Sequence, residues 1–283
     1  MFRDDFDRDV KVQCVLELIG YTLMSHADHE KFVMLIGNGA NGKSVLMSVM
    51  EQLAGRDNVS AVKPSQFDNK WQRAHLHMKL ANIVTELPEG SIIADAELKA
   101  ITSGELTTVE NKGCDPFDMR AFSTCWFGTN HMPHTRDFSD ALFRRATILR
   151  FNRTYREHEQ DKELKHKLAA ELPGILNMAL LAYGYALSRG FTEPPSSMAA
   201  KLEWKREADQ VRQFVEECTI NDPFGEVQLS EIYRQFGNWA SQSGVRSAVS
   251  KNTMSKRLEA IGYKKRTSDG IWIVGLRLRP VLS

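Results

Sequence analysis

The 283-residue sequence has few cysteines and no long hydrophobic run. A helix that spans a bilayer needs ~18 or more consecutive apolar residues, and no segment reaches that length. The first ten residues, MFRDDFDRDV, lack the apolar core of a secretory signal peptide. The four cysteines, Cys14, Cys114, Cys125 and Cys218, match neither a zinc-binding pattern nor a disulfide framework. These absences argue against membrane insertion and secretion, and they predict reduced thiols in a cytoplasmic protein.

A large excess of charge of one sign is also missing, because the formal net charge is only +1. The charge is nevertheless unevenly distributed along the chain. Residues 245–283 contain nine Lys and Arg residues against two acidic residues, a net charge of +7, which leaves about −6 for the preceding residues. A local cationic field of this kind can act on phosphates although the whole chain is near neutral. The C-terminal segment is therefore a candidate DNA-binding surface.

The order of apolar patterns predicts an α/β fold with a parallel sheet. An amphipathic helix is expected within residues 1–30, and strand and helix patterns alternate after it. The predicted strands are 31–37, 81–85, 123–129 and 146–151, and the predicted helices are 45–53, 95–102 and a long helical stretch over 161–187. We therefore predict a helical segment at 1–30, an α/β core at 31–155 and a helical connector at 156–204.

The C-terminal part, residues 205–283, has a different pattern. Helical periodicity predicts helices over 205–217, 229–241 and 251–261. The last helix leads into YKKRTSDGIWIVGLRL, in which two β-prone runs flank a Ser-Asp-Gly turn. Three short helices and a hairpin are typical of a winged helix-turn-helix DNA-binding domain.

The strongest local signal is a phosphate-loop pattern, G-x-x-x-x-G-K-[ST], between a predicted strand and a predicted helix. Its residues are Gly37, Asn38, Gly39, Ala40, Asn41, Gly42, Lys43 and Ser44. The glycines allow backbone N–H groups to converge on phosphates, and the start of the following helix stabilises negative charge. Lys43 is expected to reach the β and γ phosphates of ATP, and Ser44 to bind Mg²⁺.

Polar side chains at the ends of later strands could complete a nucleotide site. Glu86 follows the strand at 81–85 and is the candidate general base and second Mg²⁺ ligand. Asn130 follows the strand at 123–129, where it could contact the γ phosphate and position water. Two adjacent arginines, Arg144 and Arg145, precede another strand, and a permanently charged guanidinium suits the charge of a phosphoryl-transfer transition state.

These elements, in this order, resemble the superfamily 3 helicases of the AAA+ ATPases. More narrowly, they are similar to the P4-type primase-helicases of phages and plasmids and to the poxvirus D5-like proteins. The matching stretches are GNGANGKS, VTELPE, ITSGELTTVENKGCDPF, FGTNHMP and ALFRRATILRFN. The resemblance covers residues 32–153 closely and continues more loosely into the predicted winged helix.

The resemblance implies roles for individual residues. Lys43 and Ser44 match the Walker A pair, Glu86 the Walker B acid and Asn130 the sensor asparagine. Arg145 is the preferred match to an arginine finger supplied by a neighbouring subunit, with Arg144 as the alternative. Lys112 matches the basic tip of a hairpin that grips one DNA strand in the pore of a ring.

The expected function is that of an ATP-dependent helicase that translocates on single-stranded DNA and unwinds duplex DNA during replication of a phage, plasmid or other mobile element, and the resemblance implies a hexamer. Single-stranded DNA would lie in the ring pore. Duplex DNA would bind the winged helix through Lys251, Lys256 and Arg257 on the recognition helix and Lys264, Lys265 and Arg266 on the wing. A separate primase is a possible partner. The alternative is an ATP-switched replication initiator or loader that does not unwind DNA processively.

Overall fold

A computed structural model describes residues 2–135, 137, 139–243 and 248–279. The chain divides into two compact units, Met1–Trp204 and Lys205–Ser283. No helix within the described ranges is both long enough and apolar enough to cross a membrane. Arg246, which contributes to the C-terminal positive charge, lies outside the described residues.

The first unit contains a parallel sheet, as the alternation of strand and helix patterns predicts. The strands of this unit are β1 (Phe32–Ile36), β2 (Val59–Ser60), β3 (Ala81–Leu87), β4 (Leu106–Val109), β5 (Phe117–Arg120), β6 (Thr124–Thr129) and β7 (Ala146–Arg150). Five of them form the sheet in the order β2-β3-β6-β1-β7, and β4 pairs with β5 in a separate antiparallel hairpin. Every residue of β1 is buried, which explains its continuous apolar sequence.

The strand order determines which loops meet at one edge of the sheet. β6 lies between β3 and β1, and Ile36 at the end of β1 pairs with Thr129 at the end of β6. The segments that follow β1, β3 and β6 therefore emerge side by side at the carboxyl edge. In open α/β sheets this edge is where ligands bind.

Helices pack against the sheet of the first unit. The helices that begin in this unit are α1 (Arg8–Thr22), α2 (Lys43–Ala54), α3 (Lys70–Ala74), α4 (Asp95–Thr102), α5 (Asp140–Phe143), α6 (Leu164–Arg189) and α7 (Pro195–Ala208). Leu18 of α1 and Met50 of α2 are buried in one apolar cluster with Leu35 of β1 and Trp126 of β6. The predicted helices at 45–53 and 95–102 and the long helical stretch are confirmed, with small shifts at their ends.

Gly20 marks the closest approach of α1 to α6 and supports a stability prediction. A Cβ atom at this position would collide with the backbone oxygen of Ala179 and lie 2.6 Å from the Tyr183 Cβ. Gly20→Ala should lower the free energy of unfolding by about 1–3 kcal/mol, because overpacking outweighs the ~1 kcal/mol gain in helix propensity. Gly184 of α6 has no neighbour within 4 Å of such a Cβ. Gly184→Ala should therefore stabilise the protein in the same chemical denaturation assay, and equal effects of the two substitutions would contradict this packing.

The second unit combines helices with a three-stranded antiparallel sheet. Its elements are α8 (Gln210–Cys218), β8 (Thr219–Gln228), α9 (Leu229–Gln242), α10 (Lys251–Ala260), β9 (Lys264–Thr267) and β10 (Ile271–Leu278). The sheet order is β8-β10-β9, and the β9–β10 hairpin has the register Thr267↔Ile271. The helices and the sheet bury Phe214, Phe236 and Ile273 in a common apolar cluster.

Two features of this unit differ from the sequence expectation. The helix predicted over 205–217 is interrupted at Asp209, whose carboxylate accepts a hydrogen bond from the Arg212 backbone N–H and caps α8. Strand β8 was not predicted, because its sequence TINDPFGEVQ contains Pro223 and Gly225 and reads as a loop. β8 is an edge strand of its sheet, where a proline is tolerated.

Candidate functional site

The phosphate loop lies between β1 and α2 and has an unusual backbone. Three of its residues have left-handed conformations, with φ of 47° at Gly39, 46° at Ala40 and 96° at Gly42. Backbone turns of this type direct successive N–H groups into a concave surface that binds anions. Gly37 is required for a different reason, since a Cβ there would collide with the Asn41 side chain and the Phe151 backbone oxygen. The loop is thus shaped to hold an anion.

Lys43 is buried at the base of this loop. Its ammonium group donates hydrogen bonds to the Gly37 backbone oxygen and to Asn130 Oδ1, the latter at 3.4 Å. Burial lowers the pKa of Lys43, and the negative charge of Glu86 acts in the opposite direction. A bound anion would favour the charged form of this lysine.

A cleft of about 450 Å³ opens beside the loop. Its volume is within the range of small-molecule binding sites. The lining residues from the loop and the adjacent strand ends are Gly39, Ala40, Asn41, Gly42, Lys43, Ser44, Thr85, Glu86, Thr129 and Asn130. The cleft thus brings together the predicted lysine, serine, acid and amide. Gly37 and Asn38 belong to the loop but do not line the cleft. The Gly37 N–H donates to Thr129 O at 3.2 Å, and Asn38 O accepts from Thr154 Oγ1 at 3.4 Å.

An irregularity in β3 directs Glu86 toward the cleft. The pairing of β3 with β6 shifts register between Val84 and Leu87. As a result Thr85 and Glu86 are both exposed, whereas a regular strand would place one of them on each face. Gly128 of β6 permits this arrangement, because a Cβ there would collide with the Thr85 backbone oxygen. Glu89 is exposed but does not line the cleft.

The donor set of the cleft fits a hydrated divalent cation. Within the described ranges there is no group of three or more His, Cys, Asp or Glu residues that could enclose a metal ion. Mg²⁺ does not need such an enclosure, because it keeps several waters and binds through one or two protein oxygens and substrate phosphates. Ser44 and Glu86 supply one hydroxyl and one carboxylate at the cleft. The buried Asn41 Nδ2 has no hydrogen-bond partner among the described residues and is a donor available to a ligand.

Sequence reasoning missed the far wall of the cleft. This wall consists of Tyr155, Glu159, Gln160, Asp161 and Leu164. The chain returns to the phosphate loop here, and the Tyr155 backbone N–H donates to Ala40 O at 2.8 Å. The segment is polar and carries no motif. The sequence features that could have indicated this wall are the aromatic residue Tyr155 and the start of the long helix after it.

The two candidate finger arginines lie at the opposite edge of the sheet. They precede β7, and the Arg145 backbone oxygen accepts a hydrogen bond from Phe32 at the start of β1. A five-residue strand such as β1 spans roughly 17 Å, so these arginines cannot reach the cleft of their own chain. Any contact with a nucleotide would have to be made to another copy.

The two arginines differ in exposure and contacts. The Arg145 side chain is only 8% exposed and forms an ion pair with Glu30 at 2.8 Å. It also donates hydrogen bonds to Ala141 O at 2.6 Å and to Ser103 Oγ at 2.7 Å. The Arg144 side chain is 64% exposed. The Arg145 guanidinium is thus engaged within its own subunit, whereas Arg144 is the more exposed of the two candidates.

The predicted nucleic-acid residues are mostly exposed. Lys112 lies in the 110–116 turn between β4 and β5, which confirms that this segment is a hairpin with an exposed lysine. The exposed basic residues of α10 and β9 are Lys251, Lys256, Lys264, Lys265 and Arg266. Arg257 differs from them, because it is largely buried and forms an ion pair with the buried Asp209. This ion pair links α10 to the start of α8, and DNA contact by Arg257 would require the guanidinium to leave Asp209.

The chain is similar to viral proteins that carry the name putative helicase. A family model described as "Family of unknown function (DUF5906)" matches residues 35–145. The chain is 25% identical over 263 residues to "Putative helicase 022R" of Frog virus 3 (isolate Goorha), covering 83% of this chain. It is 20% identical over 260 residues to "Putative helicase L207/L206" of Acanthamoeba polyphaga mimivirus. The chain spans about a quarter of the length of these relatives, 27% and 26% respectively.

Solved structures share the fold. An apo structure of the NrS-1 C-terminal region matches 90% of this chain and 61% of its own length, with a TM-score of 0.55 and 15% identity. A second apo structure, of residues 305–718 of the same region, matches 95% of this chain and 76% of its own length, with a TM-score of 0.51 and 12% identity. The chain thus shares its overall fold with these solved structures.

Proposed function

We propose that this protein is an ATP-dependent DNA helicase of the superfamily 3 group of AAA+ ATPases. One observation carries the proposal: the phosphate loop, Glu86 and Asn130 meet around a single cleft at the carboxyl edge of the sheet. The similarity to two viral proteins named as helicases supports the same class of function. The activity is assigned to replication of a virus, phage or other mobile element, in the cytoplasm of the host cell.

The cleft provides the groups that phosphoryl transfer needs. The loop N–H groups and Lys43 bind the β and γ phosphates of ATP, and Lys43 exchanges its bond to Gly37 for phosphate oxygens. Ser44 and Glu86 would hold Mg²⁺, which when bound neutralises phosphate charge. Glu86 accepts a proton from the attacking water, and Asn130 orients that water beside the γ phosphate. Tyr155 and Leu164 offer partly apolar surface to the rest of the nucleotide.

The complete site requires a second copy of the chain. Arg144 is exposed and lies at the opposite edge of the sheet from the cleft. In a head-to-tail ring, Arg144 of one subunit enters the cleft of the next and stabilises negative charge in the transition state. We propose a homo-oligomer of this kind, a hexamer by resemblance, in which neighbouring subunits hydrolyse ATP in turn. A separate primase is a further candidate partner.

DNA contacts are assigned to both units. The β4–β5 hairpin carries Lys112 into the pore, where it contacts the backbone of single-stranded DNA. The element order of the second unit, α8-β8-α9-α10-β9-β10, supports a winged helix. Its helix α10 and its β9–β10 wing present Lys251, Lys256, Lys264, Lys265 and Arg266 to duplex DNA.

Unwinding of a forked duplex tests the proposal. Purified protein with ATP and Mg²⁺ should displace the labelled strand, and single-stranded DNA should stimulate ATP hydrolysis. The non-hydrolysable analogue AMP-PNP should support DNA binding but no displacement, because strand movement requires hydrolysis. ATP hydrolysis without displacement at any salt concentration would contradict the helicase function and favour an ATP-switched initiator or loader.

A further inference from the structure

An exposed tryptophan lies beside the tip of the β4–β5 hairpin. Trp71 of α3 is 45% exposed, whereas Trp126, Trp204 and Trp239 are buried. Its indole Nε1 donates a hydrogen bond to Glu110 Oε1 at 3.0 Å, and Glu110 is the first residue of the hairpin turn. Leaving a large aromatic surface in water is unfavourable, so an indole held in this position by a hydrogen bond is a candidate contact surface.

Lys70 completes this cluster. Its ammonium forms an ion pair with Glu110 and lies 5.5 Å from the centre of the Trp71 ring. The hydrogen bond from Lys70 lowers the pKa of Glu110, so this carboxylate is ionised at neutral pH. Lys112 lies two residues further along the same turn. An aromatic ring, two lysines and a carboxylate are thus grouped where the hairpin presents its tip.

We propose that Trp71 is a stacking surface for one base of single-stranded DNA, next to the backbone contact made by Lys112. The inference rests on the proposed helicase function and adds a base contact to it. Aromatic side chains bind the faces of all four bases, so they suit a protein that moves along DNA of any sequence. On binding, Lys70 leaves Glu110 and contacts the neighbouring phosphate.

The local charge favours stacking over phosphate neutralisation as the source of affinity. The positive charges of Lys70 in α3 and Lys112 in the hairpin turn are balanced by the negative charges of Glu110 and Asp115 in that turn. Apart from the phosphate contacts of the two lysines themselves, a surface with so little net charge gains little from counterion release. The base contact of Trp71 should therefore contribute affinity that depends only weakly on salt.

Further contacts attach the segment around Trp71 to the β4–β5 hairpin. Arg73 of α3 donates a hydrogen bond to Thr108 O in β4 at 3.5 Å. The His77 ring packs edge-on against Phe117 of β5, with 5.1 Å between the ring centres. Both strands of the hairpin are thereby attached to the segment that carries Trp71. A shift of the hairpin would carry the base contact and the backbone contact together.

The test compares base-containing and abasic strands. Binding of the full chain to fluorescein-labelled oligothymidylate is measured by anisotropy, and an abasic oligonucleotide of equal length serves as the second probe. Trp71→Ala should raise Kd for oligothymidylate roughly 5- to 100-fold with an unchanged salt dependence. The same substitution should leave Kd for the abasic strand nearly unchanged. Trp71→Phe, which keeps a ring, should restore most of the affinity.

Control variants separate this inference from the proposed function. Tyr185, an exposed aromatic residue of α6, provides a matched substitution, and Tyr185→Ala should not alter binding. Lys112→Ala should weaken binding of both probes and reduce the salt dependence. If Lys112→Ala weakens binding but Trp71→Ala does not, the stacking role is wrong and the helicase proposal stands. If the unaltered chain binds neither probe, the helicase proposal fails and the stacking role fails with it.

Discussion

Lys43→Ala is expected to lower the rate of ATP hydrolysis by ~100-fold or more and to abolish strand displacement. The substitution removes the one ammonium group that lies within the phosphate loop and contacts Asn130 across the cleft. Phosphate release and displacement of a labelled strand from a forked duplex would measure the two losses. Hydrolysis at the rate of the unaltered protein would remove the phosphate loop from the mechanism.

The fold should survive this substitution. Lys43 lies outside the apolar cluster that contains Leu35 and Trp126, so its removal leaves that packing intact and deprives only Gly37 O and Asn130 Oδ1 at the cleft of their donor. Circular dichroism and thermal unfolding of Lys43→Ala should match those of the unaltered protein. Lys63→Ala is a suitable control, because Lys63 is exposed and does not line the cleft. It should retain full ATP hydrolysis.

The lowered pKa of Lys43 also gives a pH dependence. In the free protein the ammonium loses its proton at a lower pH than an exposed lysine does. A bound triphosphate favours the charged form, so binding in the alkaline range is accompanied by proton uptake. Affinity for ATP should therefore fall as the pH rises through this range, and Lys43→Ala should lack that dependence.

Arg144→Ala is expected to reduce ATP hydrolysis roughly a thousandfold without loss of fold, whereas Arg145→Ala should reduce stability. Arg144 is exposed, and removing its side chain breaks only a long 3.4 Å contact with Glu30. Arg145 is buried and bonded to Glu30, Ser103 and Ala141. Its removal should lower the free energy of unfolding by about 1–3 kcal/mol, because these partners lose their donor.

Subunit mixing tests whether Arg144 acts on a neighbouring copy. Arg144→Ala subunits retain an intact cleft, and Lys43→Ala subunits retain an intact arginine. A mixture should therefore regain part of the hydrolysis that neither variant shows alone. No recovery, with assembly confirmed by light scattering, would contradict a shared site. Full activity of Arg144→Ala, together with a folded but inactive Arg145→Ala, would return the finger role to Arg145.

The centre of the site could be predicted from the sequence, because the necessary information is local. A buried apolar strand, a glycine-rich loop and a helix follow one another without interruption, so the loop conformation depends on adjacent residues. The positions of Glu86 and Asn130 could also be predicted, since parallel strands bring their carboxyl ends to one edge. The basic C-terminal hairpin was visible in the same way, from two β-prone runs around a short turn.

The exposure of the individual basic residues follows from long-range packing and could not be predicted from the sequence. Arg144 and Arg145 are neighbours with the same chemistry, but contacts with residues more than forty positions away bury one and leave the other exposed. In the sequence Arg257 is one of several basic residues of α10, but in the structure it pairs with Asp209 of the same unit. Burial depends on segments that are distant in sequence, so charge pattern alone could not distinguish these side chains.

The same physical reason applies to the far wall of the cleft and to Trp71. Tyr155 meets the phosphate loop through a backbone hydrogen bond to Ala40, and Trp71 meets the hairpin through Glu110, 39 positions along the chain. Neither contact leaves a periodic or composition signal in the sequence. Local pattern determined where the loop, the strands and the hairpin form, and long-range packing decided which side chains line the cleft and which remain free to bind.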